Sequence, residues 1–458
     1  MEKRENFASR LGFILVSAGC AIGIGNVWRF PYITGKYGGA AFVLIYLFFL
    51  VIMGLPVMTM EFAVGRGSGL SVGTSFRKLE PEGTKWHWFA HLAFAGNYIL
   101  MMYYTTVSGW MLAYIWKMAM GRFAGMNTGE TGTVFQSMLA NPGYQIFWML
   151  VTIAIGFLVV GRGLQNGVEK ISKPMMISLF ALMLILAVRS LILPGGGKGL
   201  EFYLIPDMEK VRKSGIFTVI YAAMGQAFFT LSLGIGSMSI FGSYISKERT
   251  LLTESRTIIL LDTFVALMAG LIIFPACFAY GVDAGSGPGL IFVTLPEIFL
   301  KMSGGRIWGT LFFVFMCFAS LSTVIAVFEN IIAICMDVKG WSRKKAVLVN
   351  AVMLPVLSVP CVLGFNLWSG FMPFGKESNL MDLEDFLVSN NLLPIGALIF
   401  ALFCTGRYGW GFEKYFAEAN EGRGTKLPKW TRFYLSRILP LLILFIFVMG
   451  YRDKFFAG

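Results

Sequence analysis

The sequence predicts an all-α integral membrane protein of eleven spans, built as two five-helix halves of inverted topology with discontinuous spans 1 and 6, plus an eleventh span. Three observations carry this. Of the 458 residues, 56% are hydrophobic and only 14% charged, with a mean hydropathy of +0.70, whereas soluble domains run near 25% charged. Apolar stretches long enough to cross a bilayer recur along the whole chain. Two of them are interrupted by glycine in the same way, at Gly19-Cys20-Ala21-Ile22-Gly23-Ile24-Gly25-Asn26 and at Thr230-Leu231-Ser232-Leu233-Gly234-Ile235-Gly236-Ser237, and each opens a group of five.

The stretches 10–36, 40–66, 88–120, 145–161 and 166–193 form the first half, residues 10–193. A second half, 214–406, comprises 214–243, 252–280, 307–338, 343–364 and 385–406; 432–451 is span 11, all within one single domain, 1–458. The segment before span 1 is short and polar, and no small-residue cleavage site comes after it, so it does not read as a signal peptide. A formal net charge of +13 could suggest nucleic acid. The basic residues instead gather in short loops on one side, as in Arg343, Lys344 and Lys345, or Arg423, Lys426, Lys429 and Arg432, with no basic stripe interleaved with aromatics. The positive-inside rule places the N-terminus in the cytoplasm and the C-terminus outside, in a multi-pass protein of the cell (inner) membrane.

A helix is abandoned in mid-membrane only where the freed amides and carbonyls line a polar cavity, because lipid offers no hydrogen bonds. Paired breaks in corresponding spans mark a transporter whose binding site lies at the breaks. Glycine alone fits close helix packing equally well; the neighbouring Asn26, Thr230 and Ser232 favour a lined cavity. Six cysteines, all within apolar stretches and without metal-ligand spacing, read as small hydrophobes.

With these residues in view, the chain resembles the neurotransmitter:sodium symporter family, in particular its eleven-span, LeuT-like bacterial amino-acid transporters. The likeness runs through Arg10-Leu-Gly, Gly25-Asn26-Val-Trp-Arg29-Phe-Pro31, Gly38-Gly39-Ala-Ala-Phe42, Pro56 to Glu61 and Gly65-Arg66. It continues in Gly225-Gln226-Ala-Phe-Phe229-Thr230-Leu-Ser232-Leu-Gly234 and in Gly287-Pro-Gly-Leu-Ile-Phe-Val-Thr-Leu-Pro296. The resemblance implies two sodium sites. One takes the carbonyl of Ala21 and the side chains of Asn26, Thr230 and Asp262, completed by the substrate carboxylate. The other takes the carbonyls of Gly19, Ile22 and Ala319 and the hydroxyls of Ser322 and Thr323. A hard cation wants such oxygens; for Ser322 and Thr323 alone, back-bonding within their own helix is the simpler reading.

Asp262 departs from the family, which more often has Asn there. A mid-span carboxylate is costly unless it faces a cation or a polar cavity. At an effective dielectric near 20, an acid about 4 Å from sodium gains roughly 4 kcal/mol of Coulomb energy. Chloride-dependent relatives bind an anion partly through a Tyr and a Gln that match Tyr46 and Gln226, and some chloride-independent members carry Glu where this chain has Ala266. Asp262 therefore reads as a built-in replacement for chloride, the alternative being an acid merely bonded to nearby hydroxyls.

By the same resemblance, the substrate carboxylate meets sodium, the amides near Gly25 and the Tyr104 hydroxyl, and its ammonium meets carbonyls of Ala21, Phe229 and Thr230 with Ser232. Tyrosine is also common in spans for packing alone. Monoamine-carrying relatives have Asp where this chain has Gly23, so the substrate brings its own carboxylate. Ile24, Leu100, Tyr104, Phe229, Ile235, Thr323 and Val327 would line an apolar side-chain pocket, which implies a hydrophobic L-amino acid as partner. Arg29 with Asp385, or with Glu384 one residue earlier, would form the outer gate; Arg4 and Asp337, supported by Ser243 and Tyr244, the inner one. A solvated loop charge is the bland reading of each. Glu61 matches a family Glu that bonds the broken helices. Glu329 acquires no role, and Pro174 is displaced from the family's usual position.

Other classes find little footing. The two histidines, His87 and His91, lack the Glu of an H-E-x-x-H zinc motif. No nucleotide-binding G-x-x-x-x-G-K-[ST] loop and no repeated channel filter is present.

Overall fold

Residues 5–127, 129–282, 289–376 and 378–455 are described by the computed structural model. Span 1 starts where Ser9 holds an extended backbone and its Oγ accepts the Gly12 N–H, satisfying an amide that a helix start leaves open. It runs Arg10–Ala21, stops, and resumes as a π-helical Gly25–Arg29 and an α-helical Phe30–Lys36, the halves bent by 54°. Span 6 breaks more widely, between Ile216–Phe229 and Ser237–Gly242. Within that gap Ser232, at φ 51°, is the only non-glycine at positive φ among the described residues. Gly234, at φ 108°, is required for two reasons: the backbone suits glycine, and a Cβ would run into the Leu393 carbonyl.

Span 2 joins Ala40–Phe49 to Leu55–Ser68 through a π-turn; span 3 is Phe89–Ala119 and span 4 Pro142–Val160. Span 5 opens with π-helical Leu164–Glu169 before Lys170–Leu191, which accommodates Pro174. Spans 7, 8 and 9 are Leu251–Ala279, Gly305–Lys339 and Arg343–Leu363. Span 10 is Leu380–Asp385, a π-turn Phe386–Leu392 and Leu393–Thr405; span 11 ends in Leu439–Phe455. Span 10 begins five residues before the predicted 385 because Asn379 and Asp382 form a capping box, each side chain bonded to the other's backbone amide.

Among the described residues, eight helices are long and apolar enough to cross a membrane, nine if the bent halves of span 1 count as one. Span 3, with 31 residues, reaches about 46 Å at 1.5 Å per residue, and turns Asn97, Tyr103, Tyr104, Thr105, Thr106 and Ser108 into the bundle. The two pieces of span 6, 14 and 6 residues, are each too short alone. Span 8 lies at the centre: 83% of its apolar window is buried, against 33% for spans 9 and 11. It packs on spans 1, 3, 4, 5 and 9 and on the second piece of span 6, so both broken spans meet span 8 in the middle of the bundle.

Candidate functional site

The two breaks free backbone groups, and the first cluster forms where both face span 7. Asn26 Nδ2 donates to Asp262 Oδ1 at 2.8 Å and to the Asp262 carbonyl at 3.2 Å. Thr230 Oγ1 donates to Asp262 Oδ2 at 3.1 Å, so each carboxylate oxygen holds one donor. Asn26 Oδ1 in turn accepts the Gly23 N–H at 3.1 Å. Gln226 Nε2 donates to the Gly25 carbonyl at 3.1 Å, while its Oε1 is buried without a hydrogen-bond partner among the described residues. Tyr46 faces both Thr230 and Asp262. The Asp262 carboxyl is fully buried and has no cationic side chain beside it among the described residues.

The second cluster joins span 8 to the end of Arg10–Ala21, where the last carbonyls of a helix are left open. Ser322 Oγ lies 2.8 Å from the Ala319 carbonyl and 3.3 Å from that of Ile22. Thr323 Oγ1 reaches the Ile22 carbonyl at 3.3 Å and the Gly19 carbonyl at 3.4 Å. The back-bonding reading thus describes one bond of Ser322, but both hydroxyls also cross to span 1. Five oxygens converge, a donor set that suits a hard cation.

Between the clusters lies a cavity of about 20 Å³ lined by Ala21, Gly23, Gly25, Leu100, Tyr104, Phe229, Ser232, Thr323 and Leu393. The Tyr104 hydroxyl accepts the Ile24 N–H at 3.1 Å. A side chain at Gly23 would collide with that hydroxyl and with Thr323 Oγ1. Beyond Phe229 and Tyr104 a second cavity of about 180 Å³ is lined by Ile24, Trp28, Arg29, Tyr103 and Asp385, among others. Three expectations shift here. Ile24 lines this larger cavity and not the small one. Ile235 is turned by the Gly234 bend against Gly96, its carbonyl taken by Asn97 Nδ2 at 3.0 Å. Val327, one turn beyond Thr323, is buried in the core outside the small cavity's lining.

Arg29 and Asp385 share the larger cavity but form no ion pair, because each is held elsewhere. The Arg29 guanidinium sits 4.2 Å from the centre of the Phe229 ring, a cation–π arrangement. Asp385 Oδ1 accepts from Ser389 Oγ at 2.8 Å and Tyr103 Oη at 3.2 Å. Glu384 is buried against Cys361 and lines neither cavity.

At the other end of span 8, Asp337 Oδ2 accepts the Ser71 N–H at 2.7 Å; Arg4 lies outside the described residues. The Tyr244 hydroxyl donates to Glu329 Oε1 at 2.8 Å. Arg343 grips the same carboxylate with two nitrogens, at 2.7 and 2.9 Å, and reaches the Val160 carbonyl at 3.0 Å. Glu61 braces the second break, accepting the Gly234 N–H at 2.5 Å and the Met238 N–H at 3.2 Å.

The family model described as the sodium:neurotransmitter symporter family matches residues 4–130 and 131–454. The chain belongs to this family. A symporter-family relative from Bacillus subtilis (strain 168), the uncharacterized sodium-dependent transporter YhdH, is 35% identical over 449 residues, covering 98% of each chain. An uncharacterized sodium-dependent transporter of Haemophilus influenzae is 30% identical over 461 residues, with 98% of each chain covered. The crystal structure of MhsT in complex with L-phenylalanine matches with a TM-score of 0.87 and 36% identity, over 98% of this chain and 100% of that one. This symporter therefore has the LeuT-like fold, is a sodium-dependent multi-pass membrane transporter, and is not an enzyme.

Two features of the symporter carry no signal in the sequence. Arg343 is there only one of a loop's basic residues, and nothing near it announces the bond to Glu329. Leu393 belongs to span 10, whose apolar run gives no hint that one leucine faces the small cavity.

Proposed function

We propose that this symporter carries a hydrophobic L-amino acid into the cell with two sodium ions, by alternating access and without need of chloride. The observation that carries the reading is Asp262, hydrogen-bonded by both breaks through Asn26 and Thr230 beside a cavity with no acid at Gly23. A fixed negative charge there supplies what an anion would otherwise supply next to the first sodium, formed by the Ala21 carbonyl, Asn26, Thr230 and Asp262. The second sodium takes the five oxygens of Gly19, Ile22, Ala319, Ser322 and Thr323. Substrate binds at Ala21, Gly25, Leu100, Tyr104, Phe229, Ser232 and Thr323, with its ammonium toward carbonyls and Ser232 and its carboxylate toward sodium and Tyr104. The protein lies in the cell membrane with its N-terminus in the cytoplasm and its C-terminus outside. Residues 10–193 and 214–406 act as the two inverted repeats, with 432–451 added. Arg29 with Asp385 closes the outer side as the cavity shrinks, and Arg4 with Asp337 the inner. The apolar cavity lining and the likeness to MhsT, solved with L-phenylalanine, support the substrate class. Uptake of L-phenylalanine into proteoliposomes with an imposed sodium gradient, in chloride and in gluconate, tests it; uptake that needs chloride would refute the role given to Asp262.

A further inference from the structure

We propose that Leu393, on span 10, sets the size of side chain that the small cavity accepts; this rests on reading that cavity as the amino-acid site. The cavity's large aliphatic or aromatic walls are Leu100, Tyr104, Phe229 and Leu393. Phe229 and Tyr104 also line the larger cavity and so form the partition between the two, whereas Leu100 and Leu393 line the small one alone.

The position of Leu393 arises from local sequence. It is the first residue after the π-turn Phe386–Leu392 and is succeeded by Pro394. Proline has no N–H to give and its ring crowds the carbonyl four residues earlier, which opens the preceding turn. A π-turn adds one residue to the helix, and each added residue rotates the remainder of the helix by about 100° at 3.6 per turn. The backbone is then pinned. A Cβ on Gly234 would strike the Leu393 carbonyl, and one on Gly396 would strike the Gly234 carbonyl. Span 10 therefore meets the unwound part of span 6 backbone to backbone, and Leu393 is only 3% exposed. Its side-chain volume is a fixed dimension of the cavity.

The test is sodium-dependent binding to the purified full-length protein, with L-alanine, L-valine, L-leucine, L-phenylalanine and L-tryptophan in competition. Leu393→Ala should raise the affinity ratio of L-tryptophan to L-valine by about tenfold or more, and Leu393→Phe should lower it similarly, since a methylene in such a pocket changes discrimination by roughly 10–200-fold. If Leu393→Phe does not fold, Leu393→Ala decides; if that variant loses binding, Leu393→Val, with a smaller shift in the same direction, decides. An unchanged ratio in the truncated variant, with Leu100→Ala shifting it, overturns the proposal and leaves the site reading standing. If neither truncation moves the ratio, the reading of the cavity fails as well.

Discussion

The Asn26 amide donates to the Asp262 carboxylate at 2.8 Å across 236 residues of sequence, joining the break in span 1 to the middle of span 7. Thr230, from the other break, holds the second oxygen. A buried carboxylate is expensive in a membrane unless it is compensated. Here it is solvated by the groups proposed to ligate the first sodium, which makes its charge part of the ion site.

Transport by the native protein should be indifferent to replacement of chloride by gluconate, whereas Asp262→Asn and Asp262→Ser should become chloride-dependent. Either substitution removes one negative charge from a low-dielectric site, and the buried Tyr46 hydroxyl and the nearby Gln226 amide remain to receive an anion. Uptake by each variant in the two salts measures this. Variants without any chloride response would contradict it.

Tyr104→Phe should weaken amino-acid binding by about 1.5–3 kcal/mol, the contribution of a hydrogen bond to a charged group, and change sodium affinity much less. Calorimetric titration at saturating sodium separates the two effects. An unaltered affinity would reduce Tyr104 to a packing residue whose hydroxyl serves only the Ile24 amide.

Thr323→Val removes an oxygen from the five-membered cluster while keeping shape, and Ser322→Ala removes another. Each should raise the sodium concentration that half-saturates substrate binding, by roughly tenfold for a lost bond of about 1–1.5 kcal/mol. The sodium titration of binding reads it directly. A variant with the native sodium curve would remove that hydroxyl from the ion site.

Glu329→Ala should destabilise the protein by about 3–5 kcal/mol, because it leaves the mostly buried Arg343 guanidinium without its carboxylate. Replacing both, as Glu329→Leu with Arg343→Met, should recover most of that loss. Thermal unfolding in detergent compares the three proteins, and equal loss in the single and double variants would contradict the pairing.

The spans and both breaks were legible because their signals are local: apolar length, and glycine beside Asn26, Thr230 and Ser232. Long-range partners were legible only where the family resemblance supplied them, as for Asn26, Thr230 and Asp262; elsewhere the local pattern carried no signal. Arg29 and Asp385 were expected to pair, yet Phe229 and the Tyr103–Ser389 couple claim them individually. Ile235 fits the apolar pattern of a pocket wall, but the left-handed turn at Gly234 sends it to Gly96. Glu329 stood in span 8 without explanation until Tyr244 and Arg343 were seen on either side of it. The π-turns in spans 1, 2, 5, 10 and 11 are one-residue shifts of register that leave no trace in hydrophobic periodicity.

Binding of L-phenylalanine by isothermal calorimetry, in sodium chloride and then in potassium chloride, tests most directly the claim that the broken spans form a joint sodium and amino-acid site. The account predicts binding in sodium, none detectable in potassium, and poor binding of tyramine, which lacks the carboxylate that Gly23 cannot replace. Equal affinity for L-phenylalanine in the two salts would contradict it.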